Sequence, residues 1–145
     1  MYKVIYDGNC NLCVTLIQLL ENLDRGQQFG YIPMQDEATL TQLGITAADC
    51  EMGMILLAPE EESGTAKASP PKRWQGSDAA EEIGRRLPLG EVFVQAYRAL
   101  PGMKKGGDRA YEFIRDNRYG LFGQRNETYI SGYVICDDDS CEKAF

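Results

Sequence analysis

A chain of 145 residues with 43% apolar and 26% charged content supports one domain with a modest core and excludes a disordered chain. The net charge of −7 argues against nucleic acid and against an anionic membrane surface, since both select basic patches. The absence of histidine removes the Ser-His-Asp triad, the Cys-His pair, histidine-ligated metals and histidine acid–base catalysis.

Tyr2 to Tyr6 is a β-branched and aromatic run that predicts a strand, broken by Asp7-Gly8. Asn9-Cys10-Asn11-Leu12-Cys13 follows. From there Leu12, Leu16, Leu19, Leu20 and Leu23 recur at helical spacing and predict a helix that buries this face, with Gly26 as its C-terminal cap. Gln28 to Met34 predicts a second strand, Glu37 to Leu43 a short helix, and Ile45 to Cys50 a plain connection. Met52 to Ala58 is apolar almost throughout, which predicts a central strand. Pro59 to Pro71 is charged and rich in breakers, an exposed mobile loop, and Lys72 to Gln75 returns as an antiparallel strand.

Gly76-Ser77-Asp78 opens a helix to about Leu87, with Ser77 or Asp78 as N-cap and Ala79, Ile83 and Leu87 on one face. Glu91 to Leu100 is a further amphipathic helix, carrying Val92, Phe93, Ala96, Tyr97 and Leu100. Asp108 caps another from about Arg109 to Tyr119. The tail has a strand-like stretch, Tyr129 to Ile135, and an acidic end.

This order of elements predicts an α/β domain of thioredoxin-like type: a mixed sheet with flanking helices and a helical C-terminal extension. Residues 1–88 form the core, and residues 89–145 the extension and acidic tail of the same domain. No apolar run approaches the roughly 20 residues of a membrane span, and the N-terminus has no signal-peptide pattern. The expected compartment is the cytoplasm, where thiols stay reduced.

In that setting the five cysteines read as redox or metal chemistry rather than as structural crosslinks. Cys10 and Cys13 form C-x-x-C after a strand and at the head of a helix, where two sulfurs a turn apart can close a disulfide. The helix N-terminus supplies about half a positive charge and favours thiolate at the first cysteine. Cys10, expected to be the more exposed, is the candidate for attack on a substrate disulfide, and Cys13 the candidate for the resolving step. Asp7 has two readings: a proton acceptor for Cys13, or a turn residue beside Gly8.

The rival reading is a zinc-stabilised structural or interaction module in which Cys10 and Cys13 join Cys136 and Cys141. The second pair also reads as a regulatory or resolving dithiol or as bystander thiols, and Cys50 as a buried small hydrophobe. Arg115, Arg118 and Arg125 are either a cationic cluster near Cys10 or a solvated helix face.

Val4-Ile5-Tyr6-Asp7-Gly8-Asn9-Cys10-Asn11-Leu12-Cys13 resembles the opening motif of the DCC family of thiol–disulfide oxidoreductases, named for an Asp followed by two Cys. Met54-Ile55-Leu56-Leu57 is similar to that family's central strand. Gly76-Ser77-Asp78-Ala79 resembles its helix start, and Asn117-Arg118-Tyr119-Gly120-Leu121-Phe122-Gly123 its late segment. The resemblance runs from about Tyr2 to Arg125. It implies a thioredoxin-like fold, dithiol activity without a cofactor, and Asp7, Cys10 and Cys13 as functional residues. The resemblance implies no particular substrate; the expected partner is a disulfide-containing protein or a small thiol such as glutathione. Thioredoxins proper place a cis-proline before the central strand, whereas Cys50-Glu51-Met52-Gly53-Met54 has none. A cis bond at another residue costs about 2.5–4 kcal/mol, so a differently shaped backbone is expected beside the dithiol.

Overall fold

The computed structural model describes residues 1–59, 72–88 and 90–133. Strand β1 (Tyr2–Tyr6) pairs in parallel with β2 (Phe29–Pro33), from Tyr2 opposite Phe29 to Tyr6 opposite Pro33. A parallel pair needs a crossover, and helix α1 (Asn11–Asp24) supplies it. On the other side of β1, β3 (Ile55–Leu57) runs antiparallel, and β4 (Arg73–Gln75) runs antiparallel to β3. The sheet order is β2-β1-β3-β4. The apolar run before residue 59 therefore does supply an interior strand, although only its last part is extended.

Alternation along the strands divides the core in two. Tyr2, Val4, Tyr6, Phe29, Tyr31 and Leu56 pack on one face against Ile17 and Leu20 of α1 and against Ala79 and Ile83 of α4 (Ser77–Arg86). Ile5, Ile32, Ile55 and Leu57 pack on the other against Leu40 of α2 (Glu37–Gln42), Ile45, and Cys50 of α3 (Ala47–Glu51). Helices α5 (Gly90–Ala99) and α6 (Met103–Phe122) follow. This is the expected mixed α/β arrangement, consistent with a thioredoxin-like fold.

Several local expectations are corrected. The connection before Cys50 contains α3, started by a capping box in which Thr46 and Asp49 satisfy each other's backbone N–H. Helix α1 buries Val14, Ile17, Leu20 and Asp24, while Leu16, Leu19 and Leu23 are exposed. Both stripes have helical spacing, and the buried one carries Asp24. Its buried carboxylate accepts the N–H of Gln28 at 3.1 Å and of Phe29 at 3.0 Å, tying the end of α1 to the start of β2. Arg25, at φ 53°, caps the helix ahead of Gly26.

Replacing Asp24 with alanine strands those two N–H groups. It should lower the unfolding free energy by about 2 kcal/mol in a urea titration, with α1 otherwise intact.

At α4 the N-cap is Gly76, at φ 63°, and Ser77 instead donates its hydroxyl to Asp108 at 2.7 Å. Asp108 lies inside α6, which starts five residues earlier, and Lys104 bridges it to Asp78 and Glu81. Helix α5 buries Val94 and leaves Val92 and Phe93 exposed, and Leu100, just beyond its end, is exposed too. Residues 129–133 form no strand; Tyr129 bonds back to the turn after β1 instead. The charged loop from residue 60 to 71 and the tail from residue 134, with Cys136 and Cys141, lie outside the described residues. Among those described, no helix is long and apolar enough to cross a membrane.

Candidate functional site

The site is built on the turn between β1 and α1. Buried Asp7 ends the strand, and its Oδ1 accepts the N–H of Asn9 at 2.9 Å, an Asx turn that reverses the chain. Gly8 is required for space: a Cβ there would lie 2.6 Å from Thr128 Cγ2 and 3.0 Å from the Tyr129 carbonyl oxygen. Cys10 is then the N-cap of α1, in extended conformation, and its sulfur accepts the N–H of Cys13 at 3.4 Å. The capping role that serine or aspartate ordinarily fills is filled here by a thiol sulfur, which places both cysteines at the positive end of the helix.

Asp7 is more than a turn residue. Its Oδ1 also accepts from the Gln35 amide at 2.9 Å, and its Oδ2 accepts from Arg118 at 3.3 Å and from the Tyr119 hydroxyl. Arg118 is itself largely buried and lies 4.9 Å from the Tyr119 ring centroid. Helix α6 is thereby fastened over the turn by an ion pair out of water. Tyr111, one face further up α6, accepts the N–H of Met54 at 3.1 Å. It lies against Gly53, which stands at φ 119° where the sequence lacks proline.

The two cysteines are reduced and adjacent, but their exposures are the reverse of the expected order. Cys10 is 0% exposed, and Cys13 is only part-buried. The cause is a strap formed by residues 122–129. Cys10 makes a β-bridge with Gln124, Arg125 donates its N–H to the Asn9 carbonyl at 2.6 Å, and Tyr129 donates to the Gly8 carbonyl at 2.9 Å. Asn11 adds its side-chain amide to the Phe122 carbonyl at 2.8 Å, and Thr128 its hydroxyl to Asn9 at 2.8 Å. Burial, followed by a hydrogen bond to Cys10 and the charge on its sulfur, pushes the Cys13 thiol above its ordinary value of 9.0.

Cys13 opens onto a cavity of about 330 Å³. Its walls are mostly apolar, with Ile5, Leu12, Leu16, Met34, Met54 and Ile114 among them, and Arg115 and Arg118 are its cations. Cys50, expected as a buried small hydrophobe, is buried in the core and also reaches this wall.

The structure thus brings Asp7, Cys10, Cys13 and Arg118 together. Arg115 lines the cavity and is paired with Asp116 at 2.9 Å, while the Arg125 side chain is exposed. Gln35, Tyr111, Tyr119 and the strap escaped residue-level reading. Tyr119 did stand in the late segment quoted above, and that was its one signal. Among the described residues no group of three or more Cys, Asp or Glu has a metal-holding arrangement.

The opening motif, the central strand and the late Asn-Arg-Tyr segment thus meet in one place. No curated protein and no solved structure matches the sequence. A family model does, described as DCC1-like thiol-disulfide oxidoreductase, over residues 4–124. That span holds both cysteines, Asp7, Arg118 and the beginning of the strap, and with it the chain belongs to the DCC1-like thiol-disulfide oxidoreductase family.

Proposed function

We propose that the protein is a thiol–disulfide oxidoreductase that cycles Cys10 and Cys13 between dithiol and disulfide. The observation that carries the reading is the Cys10 sulfur capping α1 with the Cys13 N–H aimed at it. The Cys13 N–H and the helix N-terminus both point at that sulfur, and the neighbouring thiol is within one helical turn, in reach of a disulfide. Asp7 is a positioning residue in this account: its carboxylate oxygens are occupied by Asn9, Gln35, Arg118 and Tyr119. It holds α6 against the dithiol turn rather than standing free to take the Cys13 proton. The helical extension after residue 88 belongs to the same working unit, because α6 supplies Arg118, Tyr119 and one wall of the cavity. A reducing compartment such as the cytoplasm would keep the dithiol ready.

The test is turnover. With dithiothreitol as electron donor and 2-hydroxyethyl disulfide as acceptor, the full chain should accelerate exchange, and Cys10→Ser or Cys13→Ser should each return the rate to that without protein. Retained acceleration in both variants would remove the dithiol mechanism.

A further inference from the structure

We propose that the substrate is a small disulfide carrying a bulky apolar group, that this group occupies the cavity beside Cys13, and that Cys13 makes the first covalent bond. The proposal rests on the dithiol reading and names what that dithiol acts on. Three observations converge. The cavity, at about 330 Å³, is at the small end of the range for small-molecule sites, and its lining is apolar. Of the two dithiol sulfurs, only that of Cys13 belongs to its wall, Cys10 being fully buried. The backbone at Cys10 is already bridged by Gln124 of the same chain, so an extended polypeptide cannot pair there.

The two guanidiniums at the cavity each have a carboxylate partner, and the buried Arg118 Nε has no hydrogen-bond partner among the described residues. Arg118 faces Asp7, and Arg115 faces Asp116. A ligand therefore needs no charge of its own there, and glutathione, with its ionised groups, would set them against apolar walls at a desolvation cost.

The chemistry balances as follows. Cys13 gives its proton to solvent. The Cys13 sulfur attacks one sulfur of the substrate disulfide; a Cys13–substrate bond forms, the substrate S–S bond breaks, and the first thiolate leaves. That thiolate takes the proton from Cys10. The Cys10 sulfur then attacks Cys13, closing the Cys10–Cys13 disulfide and expelling the second thiolate. The protein loses two electrons and the substrate gains them.

Benzyl methanethiosulfonate and 2-hydroxyethyl methanethiosulfonate test this, because each delivers its alkylthio group to a thiolate by loss of methanesulfinate and they differ in the apolar group. The rate at Cys13 in the Cys10→Ser chain is read by peptide mass, and the benzyl-to-hydroxyethyl ratio is divided by that for free cysteine. Burial of a ring-sized group predicts a normalised ratio of about 10 to 100. Leu16→Glu and Ile114→Glu, at part-exposed positions of the wall, should bring it to about 1, and Leu19→Glu, on the same helix but off the wall, should leave it high. Insulin should be reduced by the wild-type chain no faster than by dithiothreitol alone.

A normalised ratio near 1 in the unsubstituted wall overturns the cavity proposal, as does catalysed insulin reduction. The dithiol reading is scored separately, by whether the wild-type chain treated with either reagent closes the Cys10–Cys13 bridge. Closure without selectivity retains the dithiol and discards the cavity.

Discussion

Replacing Asp7 with alanine should lower the unfolding free energy by about 3–5 kcal/mol, the largest loss expected of any single substitution outside the apolar core. The carboxylate is buried, and four donors from three parts of the chain end on it: the Asn9 N–H, the Gln35 amide, Arg118 and the Tyr119 hydroxyl. Alanine leaves the Arg118 charge without its counter-ion in a place where water reaches only 12% of its side chain. Asparagine preserves shape and some acceptor capacity and should cost less than alanine. Arg118→Met together with Asp7→Ala should recover part of the loss, because the stranded charge leaves with its partner. Urea unfolding of the four chains measures this. A loss under about 1 kcal/mol in Asp7→Ala would show that the pair behaves as a surface ion pair and does not fasten α6 to the turn.

The second large effect is on the alkaline side. The Cys13 thiol, with burial as the leading cause, holds its proton to higher pH in the folded chain than in the unfolded one. Cys50 is shifted in the same direction by burial. Below pH 9 both groups are protonated in either state, and their contribution to stability is constant. As pH rises above about 9 the unfolded chain releases these protons and the folded chain does not, so unfolding becomes easier.

Linkage sets the slope at up to about 1.4 kcal/mol per pH unit for each such group. Burial raises Tyr6 and Tyr31 from 10.0 as well, so the decline should steepen above that pH. Unfolding free energies of the reduced protein from pH 7 to 10.5 should fall along this curve, and Cys13→Ser should flatten the part that begins near 9. A stability independent of pH up to 10 would mean that the Cys13 sulfur is as open to water as a free cysteine.

These effects also show what the sequence could and could not convey. β1, β4 and the existence of α1 and α4 were legible because each carries a short period or a strong stop within its own residues. The turn from Asp7 to Cys13 was legible because its chemistry is contiguous. The rotation of α1 was not: its leucine stripe and its Val14-Ile17-Leu20 stripe fit the same period, and the buried one ends on Asp24, which is bonded to Phe29 five residues on. Helix α6 was placed too late and its part in the site went unseen. None of its residues is fully buried, and its attachment is made by polar tips, Arg118, Tyr119 and Tyr111, which leave no hydrophobic pattern. The strap over Cys10 is held largely by backbone groups more than a hundred residues from their partners, and only the need for glycine at position 8 marks it locally. The exposure order of the two cysteines was misjudged for that reason, since it depends on the strap and not on the helix they begin.

In the proposed cycle Cys10 and Cys13 are each other's redox partners. Reduced protein equilibrated with a graded series of reduced and oxidised glutathione, quenched in acid and mapped by peptide mass, tests it most directly. One dominant oxidised species is expected, two hydrogens lighter, with the bridge between Cys10 and Cys13 and with Cys50 still a thiol. Persistent single glutathione adducts with no such bridge, or a bridge joining either cysteine to a different one, would contradict it.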